Sequence, residues 1–69
     1  MQLSSMGAGE RRRIKAVTGN DAARKRLETL GFVEGVEVEI VNELNGNLVI
    51  GVMDSRVAID RKLADRILV

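Results

Sequence analysis

The 69 residues contain no cysteine, no histidine, no tryptophan and no tyrosine, and a single phenylalanine. Each absence closes a class of function. Without thiol or imidazole groups there are no disulfides, no zinc or iron sites built on thiolate or imidazole ligands, and no Ser/His or Cys/His nucleophile. One aromatic ring cannot supply the stacking platforms of small single-strand nucleic-acid binders, nor the aromatic groove that grips polyproline ligands. No apolar run approaches the roughly 18 residues of a membrane span. The opening segment MQLSSMGAGERRR lacks the basic-then-apolar order of a secretion signal. We therefore expect a cytoplasmic protein that does not cross a membrane, a location that the cysteine-free composition fits. Charge of one sign is also missing: eleven Lys and Arg balance ten Asp and Glu for a net charge of +1, with no acidic or basic tail to announce an electrostatic partner. The length sets a single domain, 1–69, with room for one core.

What is present begins with a helix over about 20–30, specified at both ends. Asn20 can accept from a free amide of the first turn, Asp21 complements the positive end of the dipole, and Gly31 offers the left-handed residue beyond the last turn. Ala23, Leu27 and Leu30 form a narrow apolar stripe, while Arg24, Lys25 and Glu28 point away. The period then changes to two. Val36, Val38 and Ile40 alternate with glutamates, and Leu48, Ile50 and Val52 recur at every second position. Asn45-Gly46 suggests a two-residue hairpin, but such a loop sets Leu44 opposite Asn47 and Ile40 opposite Gly51, moving Ile50 and Val52 to the wrong face. A three-residue loop, Asn45 to Asn47, pairs Leu44 with Leu48 and Ile40 with Val52, and is the expectation here. A two-residue loop at Asp54-Ser55 then sets Val52 opposite Val57 and Ile50 opposite Ile59. Asp60 stands where a cap belongs, before a helical turn that tucks Leu63 and Ala64 inward and leads to a strand from Arg66 to Val69. Arg12 to Val17 reads as another strand, with imperfect parity, since Ile14 and Val17 face opposite sides unless a bulge intervenes. Five short strands, an inserted helix and a helical turn before the last strand make a mainly β, strongly curved small barrel, closed by pairing the last strand with the first.

Several constellations have a functional and a structural reading. Arg11-Arg12-Arg13, with Arg24 and Lys25, could form a patch for phosphate or an acidic partner. Strand alternation separates Arg12 from its neighbours, and Glu10, Asp21 and Glu28 lie close enough in sequence to neutralise the rest, so ordinary solvated charge is the stronger reading. Metal ligation could come only from oxygen, through Asp54, Asp60, Asp65 or Glu37, Glu39 and Glu43. The glutamates share a solvent face about 6 to 7 Å apart with nothing to close a cage, so no metal site is expected. Gly7-Ala8-Gly9 lacks the strand and the Lys-Ser/Thr of a phosphate loop and reads as a turn. Ser4, Ser5 and Ser55 have no base, and no catalytic residue or cofactor is expected. Exposed apolar residues carry more. Phe32 either plugs the barrel end beneath Leu30 or is displayed with Val33 in the Gly31–Gly35 loop. Met6, Val33 and Met53 could then leave an apolar cleft rimmed by Arg24 and Lys25, suited to an apolar segment of a partner.

The spaced residues Leu3, Met6, Gly9-Glu10, Ile14 and Val17, then Arg26-Leu27-x-x-Leu30-Gly31-Phe32-x-x-Gly35, then Ala58-Ile59 and Ala64-x-x-Ile67-x-Val69, run through nearly the whole chain. Together they resemble the FeoA family, ferrous iron transport protein A. Two positions depart from the family pattern: Met6 replaces the usual Leu, and Glu34 stands where Pro is common. The resemblance implies an SH3-like barrel that acts as a non-enzymatic cytosolic adaptor for the membrane transporter FeoB, which carries a GTP-binding domain. It does not imply that this chain binds iron. On this reading Met6, Arg24, Lys25, Phe32, Val33 and Met53 contact the partner, nucleic acid is not a ligand and the chain is a monomer. Similar domains at the end of metal-dependent repressors keep a regulator-type interaction module open as an alternative, and the arginine run keeps open a nucleic-acid-binding small barrel.

Overall fold

The computed structural model describes residues 1–69. A 3₁₀ turn at Leu3–Ser5 precedes strands β1 (Arg11–Arg13) and β2 (Ala16–Val17), helix α1 (Asp21–Thr29), strands β3 (Glu37–Leu44), β4 (Asn47–Val52) and β5 (Ser55–Asp60), the short helix α2 (Arg61–Ala64) and strand β6 (Ile67–Leu68). Six strands in two sheets replace the five expected: a four-stranded sheet in the order β1-β3-β4-β5, and a two-stranded sheet of β2 with β6. All pairings are antiparallel.

The added strand comes from the parity conflict at Ile14. The expected strand over 12–17 changes sheets in its middle. Ile14 donates its amide to the Val36 carbonyl at 2.9 Å and accepts from Gly35 at 2.8 Å, whereas Lys15 already donates to Leu68 at 2.7 Å. This switch lets Ile14 lie in the core while Val17 packs against it. The last strand pairs with the second half of the expected first strand, β2, through Ala16↔Leu68 and Val17↔Ile67, and Thr18 extends the seam by donating to the Arg66 carbonyl at 2.7 Å.

Both hairpins differ in register from the sequence expectation. The β3–β4 turn is the two-residue Asn45-Gly46, with Leu44 opposite Asn47 and φ values of 53° and 82°. Such left-handed pairs match the twist of the flanking strands. The parity objection to this turn is answered by a β-bulge at Val41: beyond it Ile40 pairs with Ile50 and Val38 with Val52, so both apolar sets face inward. The next turn is Met53-Asp54 rather than Asp54-Ser55, with Val52 opposite Ser55 and Ile50 opposite Val57. This register differs by an even number, so no side chain changes face.

The core is a single cluster that draws Val38, Ile40, Leu48, Ile50, Val52 and Ile59 from the larger sheet, Leu27 from α1, and Ile67 from the seam. Asp60 caps α2 as expected, its Oδ1 accepting from the Leu63 amide at 2.8 Å, and Ala64 is fully buried beneath it. No helix is long and apolar enough to cross a membrane.

Candidate functional site

The start of α1 follows from Asn20, whose Oδ1 accepts from the Ala23 amide at 2.8 Å. Its end positions the site. Gly31, with φ 101°, donates to the Glu28 carbonyl at 3.0 Å, and Phe32 donates to the Leu27 carbonyl at 2.9 Å. This paired arrangement ends a helix on a left-handed glycine and brings the next side chain back onto the last turn. Phe32 is accordingly driven inward beside Leu27, and both are fully buried. Phe32 therefore plugs the barrel and is not displayed. Met6 is likewise a core residue, 6% exposed, because the 3₁₀ turn folds it back with its amide on the Leu3 carbonyl at 3.0 Å. The two side chains expected on the partner surface thus serve packing.

Val33 takes the opposite course. It follows Phe32 in the chain and is 42% exposed. Its loop is held by the Val36 amide on the Val33 carbonyl at 3.1 Å and by the Arg13 guanidinium on the Gly35 carbonyl at 3.0 Å. A groove of about 280 Å³ opens there, lined by Val17, Arg24, Glu28, Phe32, Val33 and Glu34. Arg24 is steadied by Asp21 at 2.6 Å. The rim thus carries one cation and two carboxylates, where a basic rim was expected; Lys25 is exposed but lines no part of the groove. Glu28 escaped notice as a site residue although it lies one helical turn beyond Arg24, the spacing that sets two side chains side by side.

Met53 faces a different depression, although its sulfur lies beside Gly31, 3.9 Å from where a Cβ at that glycine would stand. It is 68% exposed and lines a second depression of about 240 Å³ with Arg11, Glu37, Val38, Glu39 and Gly51, the last lacking a side chain to fill it. The two depressions share no lining residue. The expected single cleft of Met6, Val33 and Met53 therefore resolves into a core position and two separate surface features.

The charged constellations are mostly self-neutralised. Arg11 faces Glu39 at 3.5 Å, Arg12 faces Glu10 at 3.8 Å, and Arg61 faces Glu43. The glutamate row does not hold one face either: the bulge at Val41 sets Glu43 opposite the buried Leu48, away from Glu37 and Glu39. Asp60 is engaged as a cap and Asp65 accepts from Ser4. No three acidic side chains converge on a point where an ion could sit.

A model of the FeoA domain matches residues 1–69, the full span of this barrel. The chain belongs to the FeoA family. That family is a small accessory domain associated with ferrous iron transport and is not known as an enzyme. Among solved structures, FeoA from Stenotrophomonas maltophilia, determined with zinc and described as a prokaryotic SH3 domain protein, is 31% identical with a TM-score of 0.86, over 99% of this chain and 87% of that one. Another FeoA, described as an iron uptake regulatory protein, is 28% identical with a TM-score of 0.89, over 97% of this chain and 91% of its own. A manganese-dependent transcriptional repressor shares the fold alone, at 13% identity and a TM-score of 0.86, with 39% of its length covered. No curated protein matches this FeoA domain in sequence.

Proposed function

We propose that this FeoA domain is a non-enzymatic adaptor on the cytosolic side of a ferrous iron transporter of the FeoB type, docking through the Arg24–Val33 groove and biasing the transporter toward the conformation it binds better. The observation that carries this reading is Val33. An apolar side chain 42% exposed, in a loop held by two backbone carbonyls and backed by buried Phe32, is a preorganised anchor for an apolar segment. The mixed rim of Arg24, Glu28 and Glu34 suits a partner segment carrying charges of both signs beside its apolar anchor.

The test is an amide chemical-shift titration of the labelled chain with the isolated cytosolic domain of its transporter, with and without guanine nucleotide, at two salt concentrations. Shifts are expected around Val17, Arg24 and Val33, to persist at moderate salt, and to weaken about tenfold or more in Val33→Glu, which places an unpaired carboxylate in the contact. Absence of shifts near millimolar concentration, or equal binding by Val33→Glu, would overturn this reading. A nucleic-acid reading is disfavoured by the pairing of Arg11, Arg12 and Arg24 with carboxylates of this same chain. It would instead require oligonucleotide affinity that falls steeply with salt.

A further inference from the structure

Strand β5 is an edge of the four-stranded sheet. Its ladder with β4 closes on Val52↔Ser55 around a two-residue turn and runs without interruption to Asn47↔Asp60. In such a hairpin the closing pair exchanges both hydrogen bonds and the pattern alternates, so Ser55, Val57 and Ile59 bond to β4, while Arg56, Ala58 and Asp60 direct their backbone groups away from the sheet. None of the turn and loop backbone bonds involves Arg56 or Ala58. Open edges are guarded by a proline, a bulge, a covering segment or charged side chains; the charges of β5, Arg56 and Asp60, are of opposite sign and do not repel a second copy of the strand. The chain has no proline, and β5 has no bulge.

The side chains on this edge are self-complementary. Arg56, Ala58 and Asp60 share the outer face, with Gly51, Val49 and Asn47 beside them on β4. Arg56 takes part in no ion pair. Asp60 uses Oδ1 for its cap, leaving Oδ2 available. When two copies of β5 run antiparallel with the two-fold axis at Ala58, each Arg56 stands opposite the other copy's Asp60, and the small Ala58 meets itself. The same register places the outward-pointing groups of Arg56 and Ala58 in hydrogen-bonded pairs. An axis at Arg56 or at Asp60 would instead set like charges opposite one another, and an axis at Val57 would leave each Arg56 opposite Ala58 without a charge partner.

We propose that a second copy of this chain pairs with β5 in this register, forming a two-fold dimer with one continuous eight-stranded sheet. The inference is independent of the docking groove, whose lining contains no β5 residue. A net charge of +1 offers little repulsion between copies. A contact through one short edge falls below the roughly 1,200 Å² of a stable interface, so association belongs to high concentration.

Sedimentation velocity of the full chain up to roughly millimolar concentration should show a monomer–dimer equilibrium. A sample mixing labelled and unlabelled protein should give an intermolecular contact between the α-protons of Val57 and Ile59, which oppose each other in this register. Arg56→Asp sets acid against acid twice and should weaken association about tenfold or more. Ala58→Pro removes an outward amide while sparing the bonds to β4, and should abolish the dimer, with thermal melting confirming that the variant folds. A chain that stays monomeric throughout, a dimer that neither variant weakens, or a dimer lacking the Val57–Ile59 contact would overturn the proposal.

Discussion

The two hairpins of the larger sheet share strand β4, yet each accommodates the chain differently. At Asn45-Gly46 the turn is well made: φ values of 53° and 82° fall on the two residue types that tolerate them best. The irregularity lies in the ladder, where Val41 is an extra residue between Ile40 and Asn42. At Met53-Asp54 the ladder is regular over six consecutive pairs, and the irregularity lies in the turn, where Met53 adopts a left-handed φ of 54°. That conformation is uncommon for a bulky residue. In both hairpins the inward direction of Leu48, Ile50 and Val52 is what the chain preserves, because burial of those side chains outweighs a bulge or one strained residue.

Deleting Val41 would attack this compensation most directly. With the Asn45-Gly46 turn retained, Val38 and Ile40 would exchange faces with their neighbours, and losing the burial of each costs about 1.5–3 kcal/mol. Against a typical total of about 5–15 kcal/mol, the deletion variant should lose most of its cooperative thermal transition; an unchanged melting temperature would break the comparison. Gly46→Ala should cost about 1–2 kcal/mol, since Gly46 needs its positive φ. Urea unfolding would measure that loss. The smallest effect has the opposite sign: Met53→Gly relieves the strained turn but adds freedom to the unfolded chain, for a net gain of about 0.5 kcal/mol in the same assay. Equal signs for the last two variants would mean that the two turns do not differ as described.

Elements governed by local rules were legible in the sequence. Asn20 and Asp60 cap their helices because the cap is a matter of one side chain and the next turn's amides. The alternation of β4 shows which residues point inward, since every second one meets the core. What alternation cannot show is a place where the count skips. The bulge at Val41 and the change of sheets after Ile14 depend on partners distant in sequence, so alternation alone gives the first hairpin a longer loop and makes one strand of β1 and β2. The second hairpin differs from its expected register by an even shift, which periodicity cannot detect.

The site was legible to a similar degree. Arg24 and Val33 line one groove, and the buried position of Phe32 is contained in the Leu27-x-x-Leu30-Gly31-Phe32 spacing. A glycine just past a helix returns the following side chain to the last turn. Met6 and Met53 could not be separated by residue type alone. One is folded under by a 3₁₀ turn and the other is lifted by a hairpin turn, so their exposures of 6% and 68% reflect backbone path rather than side-chain chemistry.

The seam between β2 and β6 also orders assembly in time. Thr18 and Arg66 are 48 residues apart, whereas a two-residue turn joins the strands of each hairpin. Closing the longer span costs about 2 kcal/mol more in chain entropy than closing a hairpin. The cost must be met before the contacts that reward it can form. On this ground the hairpins are expected to form early and reversibly, and the joining of β2 to β6 to come late and to commit the barrel to its final shape.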